Sequence, residues 1–161
     1  YVIDPQFPAK LGYEAAGVVR AVGSDVSDFV PGDVVSVVPA FSIARIGENG
    51  ASVPKVQGRF EAEAWGKDAD GQPLRIGYLP ASWKVEPFNE RAVEDEDVKF
   101  AGQMQADGVF VPGGAGPNPE RKMMTNNAGN LKVIATLADG GQTGEGHMIV
   151  TVQRWNNPPL P

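Results

Sequence analysis

Regular alternation of apolar and polar residues is the clearest pattern along this chain. Residues 56–64 carry small or apolar side chains at every even position and Gln, Arg or Glu at the odd ones. Because side chains alternate between the two faces of a strand, this pattern predicts a half-buried β-strand. Residues 82–86 follow the same rule around Trp83 and predict a second strand of the same kind.

Similar patterns predict short strands over much of the remaining chain. Asn49-Gly50 and Asp70-Gly71 are strong turn signals between them. Hairpin loops are predicted at residues 67–72 and 139–146, and the acidic residues 89–97 predict one helical turn. The further strands predicted are residues 14–22, 33–38, 98–104, 108–111, 131–137 and 147–155, and residues 74–78 are predicted to lead into the strand around Trp83.

The strand pattern predicts an all-β fold. From residue 43 onwards, about seven short strands joined mostly by tight turns are typical of an immunoglobulin-like antiparallel β-sandwich. Trp83 is predicted to lie at the centre of its core, because burying an indole removes about 200 Å² from water. Phe60, Val133 and Val150 lie on apolar faces of predicted strands and are predicted to be structural core residues with it.

Composition agrees with this fold and removes several classes of function. The chain has 161 residues with 20 Gly and 14 Pro, which suits strands and turns better than helices. Its net charge of −6 argues against a nucleic-acid partner, and no apolar run approaches the roughly 20 residues of a membrane span. The absence of cysteine excludes disulfides, thiolate catalysis and cysteine-based zinc sites. Such a chain is compatible with the cytoplasm or the periplasm.

The residue chemistry predicts no catalytic or cofactor-binding site. His147 is the only histidine, and it falls opposite Met148 and Val150 on its predicted strand, which indicates a surface residue rather than a base or ligand. Asp68 and Asp70 resemble the start of a calcium loop and are the weak metal candidates. The distal glutamate of such a loop is missing, so a hairpin turn is favoured.

The long loop at residues 112–129 is the main candidate for a contact surface. It is rich in Gly, Pro and Asn, and structureless loops of this length are often functional. Arg121, Lys122 and Met123 are predicted to contact a protein partner, because arginine and methionine are enriched at interfaces. A disordered surface loop is the alternative.

Two tryptophans outside the predicted core are further contact candidates. Trp155 ends the last predicted strand and precedes an Asn-Asn-Pro-Pro tail, which fits docking onto a partner. If Trp65 or Trp155 is exposed, carbohydrate binding becomes a third functional hypothesis, which a glycan array would test.

Residues 11–39, LGYEAAGVVRAVGSDVSDFVPGDVVSVVP, resemble part of the GroES-like domain of medium-chain, zinc-type alcohol dehydrogenases. In that family a Gly-His-Glu motif supplies a zinc ligand from its histidine. Here Tyr13 stands between Gly12 and Glu14, and the zinc cysteine and the Gly-rich dinucleotide loop are both missing. The resemblance therefore implies a shared β-barrel fragment without dehydrogenase chemistry.

A longer resemblance covers residues 43–161. Motifs such as GPNPER at residues 116–121 and NNAGNL at residues 126–131 resemble the last domain of the quinohemoprotein amine dehydrogenase α subunit. That family is periplasmic, and its C-terminal α domains are β-sandwich modules that help to hold the assembly together. The resemblance therefore implies a periplasmic location. Because no haem-attachment motif is present here, it implies no redox centre in this chain.

The two resemblances divide the chain into a β-rich leader, residues 1–42, and a sandwich, residues 43–161. The leader is not expected to be an independent domain. A chimeric origin, engineered or recombined, is the simplest explanation, and a natural family with this organisation is the alternative.

The leading functional hypothesis is a non-catalytic structural or interaction module that binds no cofactor. It is not expected to be an enzyme on its own but to form part of an amine dehydrogenase assembly. The alternative is a fragment of a zinc-type alcohol dehydrogenase without its zinc ligands and nucleotide-binding domain. Because an unpaired strand invites pairing, we predict that the leader adds to the sandwich or exchanges between protomers of a homo-oligomer.

Overall fold

A computed structural model describes residues 34–48, 54–68, 70–138 and 141–152 of the chain. The predicted strand at residues 14–22, the last residues of the predicted strand 147–155, and Trp155 lie outside these ranges. The described elements are β1 Val34–Val38, β2 Phe41–Arg45, β3 Gly58–Arg59, β4 Glu61–Lys67, β5 Pro73–Tyr78, β6 Ala81–Pro87, α1 Glu90–Glu94, α2 Asp97–Phe100, β7 Gly102–Met104, β8 Val109–Pro112, β9 Gly129–Leu137 and β10 Thr143–Thr151.

The described strands form the layers of a sandwich, and the all-β prediction is confirmed. A four-stranded sheet has the order β2-β10-β9-β6, with β2 parallel to β10 and the other pairs antiparallel. The sheets β1-β4-β5 and β3-β8-β7 are linked through Phe60, which separates β3 from β4. Buried residues from all three sheets pack into one apolar cluster.

The core contains three of the four residues that the sequence assigns to it. Phe60, Val133 and Val150 are buried at 1%, 0% and 1% exposure. Trp83 differs from the prediction, because it is only half-buried and packs at the margin of the core, with its ring centroid 6.4 Å from that of Phe60. Gly108 approaches this indole closely: a Cβ there would lie 3.1 Å from Trp83 Cε2.

The residues predicted as the loop 139–146 belong in part to β10, which begins at Thr143. Gly144 and Gly146 were included in that predicted loop, yet both pack closely against β1. A Cβ on Gly144 would lie 2.5 Å from the Val35 carbonyl oxygen, and one on Gly146 would lie 2.7 Å from Val37 Cγ1. Glycine in this strand therefore marks a close approach of another backbone.

Two further predictions need correction. Residues 98–104 were expected to be one strand, but α2 occupies residues 97–100 and only β7 is extended. The strand predicted over residues 56–64 is divided at Phe60 into β3 and β4, and β4 continues to Lys67 with a register shift between Ala64 and Trp65.

The end of the predicted leader takes part in two of the three sheets. β1 pairs antiparallel with β4, and β2 pairs parallel with β10. The predicted boundary between residues 42 and 43 falls inside β2. None of the helices in the described ranges is long and apolar enough to cross a membrane.

Candidate interaction surface

An apolar patch lies on the outer face of the four-stranded sheet, where alternation normally places polar residues. Parallel register sets Phe41 beside His147 and Ile43 beside Ile149 on this face. Phe88 follows β6, and its N–H donates to the Asn130 carbonyl oxygen at 3.1 Å, which places it next to β9. We call Phe41, Ile43, Phe88, His147 and Ile149 the apolar patch.

Ring contacts organise the centre of this patch. The imidazole of His147 stacks on Phe88, with centroids 3.8 Å apart and planes 16° apart, and meets Phe41 edge-on at 5.2 Å. His147 Nε2 also pairs with the Asn130 side-chain oxygen. Phe41, Ile43 and Phe88 nevertheless remain 48%, 43% and 42% exposed. A pre-ordered apolar surface of this kind favours contact with another surface or segment.

The other half of the outer face is polar and paired. Lys84 Nζ lies 2.7 Å from Glu86 Oε1 on β6, and Lys132 Nζ lies 3.2 Å from Glu145 Oε2 across β9 and β10. The hydrogen bond and the charge of Lys84 lower the pKa of Glu86 below its ordinary value. Solvent-exposed ion pairs like these contribute little affinity for a partner. On this face, the apolar patch is therefore the better candidate for a contact.

Arg121 lies inside the protein, at 7% exposure, rather than on the contact surface that the sequence predicted. Its Nη2 donates to Asp97 Oδ1 at 2.6 Å and to the Asp95 carbonyl oxygen at 2.9 Å. Its Nη1 donates to the carbonyl oxygens of Asn126 and Ala128. One side chain thus satisfies carbonyl groups of the loop and of the residue that follows α1, which is the physical reason for its burial.

The partner carboxylate completes this network. Asp97 Oδ2 accepts a hydrogen bond from the Asn130 N–H at 2.9 Å, so Asp97 joins α2 to both Arg121 and β9. Asn127 adds a donor bond to the Gly114 carbonyl oxygen at 3.1 Å and accepts one from Asn118 at 2.9 Å. Residues 113–128, the Arg121 loop, are therefore held by internal hydrogen bonds.

The tip of the Arg121 loop presents the predicted contact residues Lys122 and Met123. Met123 is 88% exposed and its neighbour Met124 is 58% exposed. Both have positive φ, 58° and 53°, a conformation that non-glycine residues seldom adopt. Exposed, unbranched methionines on a fixed loop suit a contact surface, because they adapt to the shape of a partner.

A groove of about 500 Å³ connects the two regions. Thr125 and Asn126 of the Arg121 loop form one side, and Ile149 of the apolar patch and Thr151 form the other. The apolar patch and the Arg121 loop therefore border the same groove. Neither Phe41 nor Phe88 was singled out from the sequence, although alternation along residues 41–45 signals an apolar outer face there.

The weak metal candidates form a turn in the structure. Asp68 Oδ1 accepts hydrogen bonds from the N–H groups of Asp70 and Gln72 at 3.0 and 2.8 Å, which is an Asx-type turn. Within the described ranges, no group of three or more potential metal-binding side chains comes together. The oxygen of Asp68 is thus engaged by the hairpin loop.

Trp65 is half-buried on β4, and its indole N–H donates to Glu63 Oε2 at 3.1 Å. Arg75 also binds Glu63, and its hydrogen bond is the main reason that the pKa of Glu63 is lowered. The Glu63 carboxylate therefore joins the Trp65 indole N–H to Arg75, and carbohydrate binding at Trp65 stays a prediction.

Comparison with known proteins places these features in a family. Residues 35–160 match the family model described as quinohemoprotein amine dehydrogenase, alpha subunit domain IV. The chain is also similar to alcohol dehydrogenase 2 of Solanum lycopersicum, at 51% identity over 39 residues, 24% of this chain and 10% of that protein. It is 48% identical to alcohol dehydrogenase class-3 of Myxine glutinosa over 48 residues, 29% of this chain and 12% of that protein.

These matches agree with both resemblances noted in the sequence. The chain spans about a tenth of the length of the curated alcohol dehydrogenases. The family model, in contrast, covers the strands of both layers and the whole candidate surface. The chain belongs to the family of quinohemoprotein amine dehydrogenase alpha subunit domain IV.

Proposed function

We propose that this chain is a non-catalytic structural and interaction module of an amine dehydrogenase assembly. The family match over residues 35–160 is the observation that carries this proposal. The site geometry supports it, because the polar side chains weighed as candidates are engaged in turns, ion pairs and loop anchoring. The family also supports a periplasmic location for the module.

The tip of the Arg121 loop is the proposed contact with another part of the assembly. Lys122, Met123 and Met124 project from a loop whose base is fixed by the buried Arg121–Asp97 pair. A fixed base reduces the conformational entropy lost on binding, and the methionines provide an adaptable apolar centre. The acidic Glu120 next to this tip supplies a polar rim.

Sedimentation velocity with the remaining parts of a quinohemoprotein amine dehydrogenase tests this contact. We expect a complex whose affinity falls at least about tenfold in Met123→Glu, because a carboxylate would enter the apolar centre. Leu74→Glu is the matched control, since Leu74 is 43% exposed on β5 and belongs to neither the loop tip nor the apolar patch. No complex, or equal loss in both variants, would contradict the proposed contact.

The non-catalytic part of the proposal has its own test. The purified chain is expected to oxidise neither amines with a redox acceptor nor alcohols with a nicotinamide cofactor above background. Turnover that rises with chain concentration would overturn the proposal.

The alternative, a fragment of a zinc-type alcohol dehydrogenase, is favoured by the two short alcohol dehydrogenase matches. Stoichiometric bound zinc in elemental analysis, or NAD(P)H-linked turnover, would favour it and would require ligands other than the family's histidine and cysteine. The module proposal predicts neither result, so either one would count against it.

A further inference from the structure

The four methionines of the chain differ sharply in exposure. Met123 and Met124, at the tip of the Arg121 loop, are 88% and 58% exposed. Met148 is buried at 0%, and its sulfur is enclosed, because a Cβ on Gly58 would lie 3.0 Å from it. Met104 is half-buried and packs against the apolar core. The loop tip therefore carries the two thioethers that are most accessible to a reagent in solution.

The backbone under the two exposed methionines is an ordered turn. The Met124 N–H donates to the Arg121 carbonyl oxygen at 2.9 Å, and the Asn118 N–H donates to the Thr125 carbonyl oxygen at 3.0 Å. The buried pair of Arg121 and Asp97 fixes the base of the loop below this turn. The exposure of the two thioethers is therefore part of the folded structure of the loop.

An exposed thioether reacts with a peroxide by a balanced two-electron step. The sulfur lone pair attacks one peroxide oxygen, the S–O bond forms and the O–O bond breaks. The sulfur loses two electrons and the peroxide gains them. The proton of the transferred oxygen passes through solvent to the departing hydroxide, which leaves as water. The product is a polar sulfoxide in place of an apolar side chain, and sulfoxide reductases reverse the change.

We propose that Met123 and Met124 form an oxidation-sensitive site, at which sulfoxide formation by a peroxide releases the loop tip from its contact in the assembly. The proposal rests on the proposed function and adds a means of regulating its contact. A sulfoxide at the apolar centre of an interface would lose its water without gaining a hydrogen-bond donor. The loop base is held by a guanidinium and a carboxylate, so the sandwich itself is expected to stay folded.

Peptide mass spectrometry after timed exposure of the full chain to hydrogen peroxide tests the site. We expect Met123 and Met124 to be oxidised at least about tenfold faster than Met148, with Met104 between them. The buried Met148 is thus an internal control in the same sample. Equal rates at all four methionines would overturn the proposal.

Sedimentation velocity of the oxidised chain with the remaining parts of a quinohemoprotein amine dehydrogenase tests the release. We expect the affinity to fall at least about tenfold, as in Met123→Glu. Treatment with methionine sulfoxide reductases for both sulfoxide epimers should restore it. A loss that the reductases do not reverse would overturn the proposal, because the damage would then lie at another residue.

Leucine variants show whether the loop tip is responsible. In Met123→Leu with Met124→Leu, the affinity after peroxide should equal the affinity of the same variant before peroxide. Met104→Leu is the matched control and should keep the full tenfold loss. A complex that forms with the untreated chain and survives oxidation of both methionines would overturn this proposal and leave the proposed function standing. The absence of a complex with the untreated chain would instead contradict the proposed function, and the release with it.

Discussion

The Arg121 loop and the apolar patch border the same groove but are fixed by different interactions. The loop depends on one guanidinium, whose carboxylate partner Asp97 is 24 positions away in sequence. The patch depends on alternation along β2 and β10, with ring contacts that join Phe41, His147 and Phe88. One is a buried polar network, and the other is an exposed apolar surface.

This difference indicates that the two regions contribute differently to stability and to contacts with other molecules. Removing one partner from a buried ion pair leaves an uncompensated charge, which is strongly destabilising. Removing a half-exposed ring loses only part of its burial and one ring contact. The loop base should therefore dominate stability, and the patch should contribute mainly to contacts.

The largest effect is expected from Arg121→Ala. It leaves the Asp97 carboxylate buried and several loop carbonyls without their donor, so we expect the free energy of unfolding to fall by about 3–5 kcal/mol. Urea denaturation followed by tryptophan fluorescence measures this. Lys122→Ala, at the next and exposed position, is the control and should change stability by less than about 0.5 kcal/mol. A loss below about 1 kcal/mol for Arg121→Ala would contradict the anchoring role of the pair.

Trp83→Ala should lower the free energy of unfolding by less than Arg121→Ala does and by more than a substitution in the apolar patch. A fully buried aromatic costs about 3–5 kcal/mol on truncation, and Trp83 is half-buried at the core margin, so we expect about 2 kcal/mol. Phe60→Ala, in the buried partner of this ring, is the comparison and should cost the full 3–5 kcal/mol in the same urea titration. Equal losses in the two variants would mean that Trp83 is a central core residue after all.

Alternation predicts much of the sheet structure because it reports burial locally. The strand predicted at residues 131–137 lies within β9, and the predicted core residues Val133 and Val150 face the interior. Periodicity failed where a distant contact decides the conformation. α2 replaces the first part of the strand predicted at residues 98–104, and its Asp97 is held by Arg121 and by the N–H of Asn130, neither of which is near in sequence.

The candidate surface was predictable only in part for the same reason. Met123 was predicted as a contact residue from composition and loop length, and the structure exposes it. Arg121 has the same local context, but its burial follows from Asp95, Asp97 and the loop carbonyls, which sequence spacing does not reveal. The ring cluster of Phe41, Phe88 and His147 depends on strand register, which a single sequence specifies weakly.

Phe88→Ala tests the smaller contribution expected of the apolar patch. It removes the ring stacked on His147 but little core volume, so we expect a loss of about 1 kcal/mol in the free energy of unfolding. The His147 ring-proton resonances should shift, because the ring current of Phe88 is lost. Val93→Ala is the control, since Val93 is 60% exposed and lies on α1, outside the patch. A loss as large as that of Arg121→Ala would remove the distinction between the regions.

The smallest effect is expected on the polar half of the outer sheet face, at Glu86. The hydrogen bond from Lys84, reinforced by its charge, lowers the pKa of Glu86 from the ordinary value of 4.5. A lowered folded-state pKa means that the pair stabilises the fold above the unfolded-state pKa and that this contribution is lost as the pH falls through the folded value. In Lys84→Met, the pKa of Glu86 measured by carboxyl NMR titration should rise towards 4.5, while Lys67→Met, on another sheet, should leave it unchanged. If Lys84→Met also left the pKa of Glu86 unchanged, the Lys84–Glu86 pair would not persist in solution. The polar half of this face would then carry solvated side chains without an ion pair at Glu86.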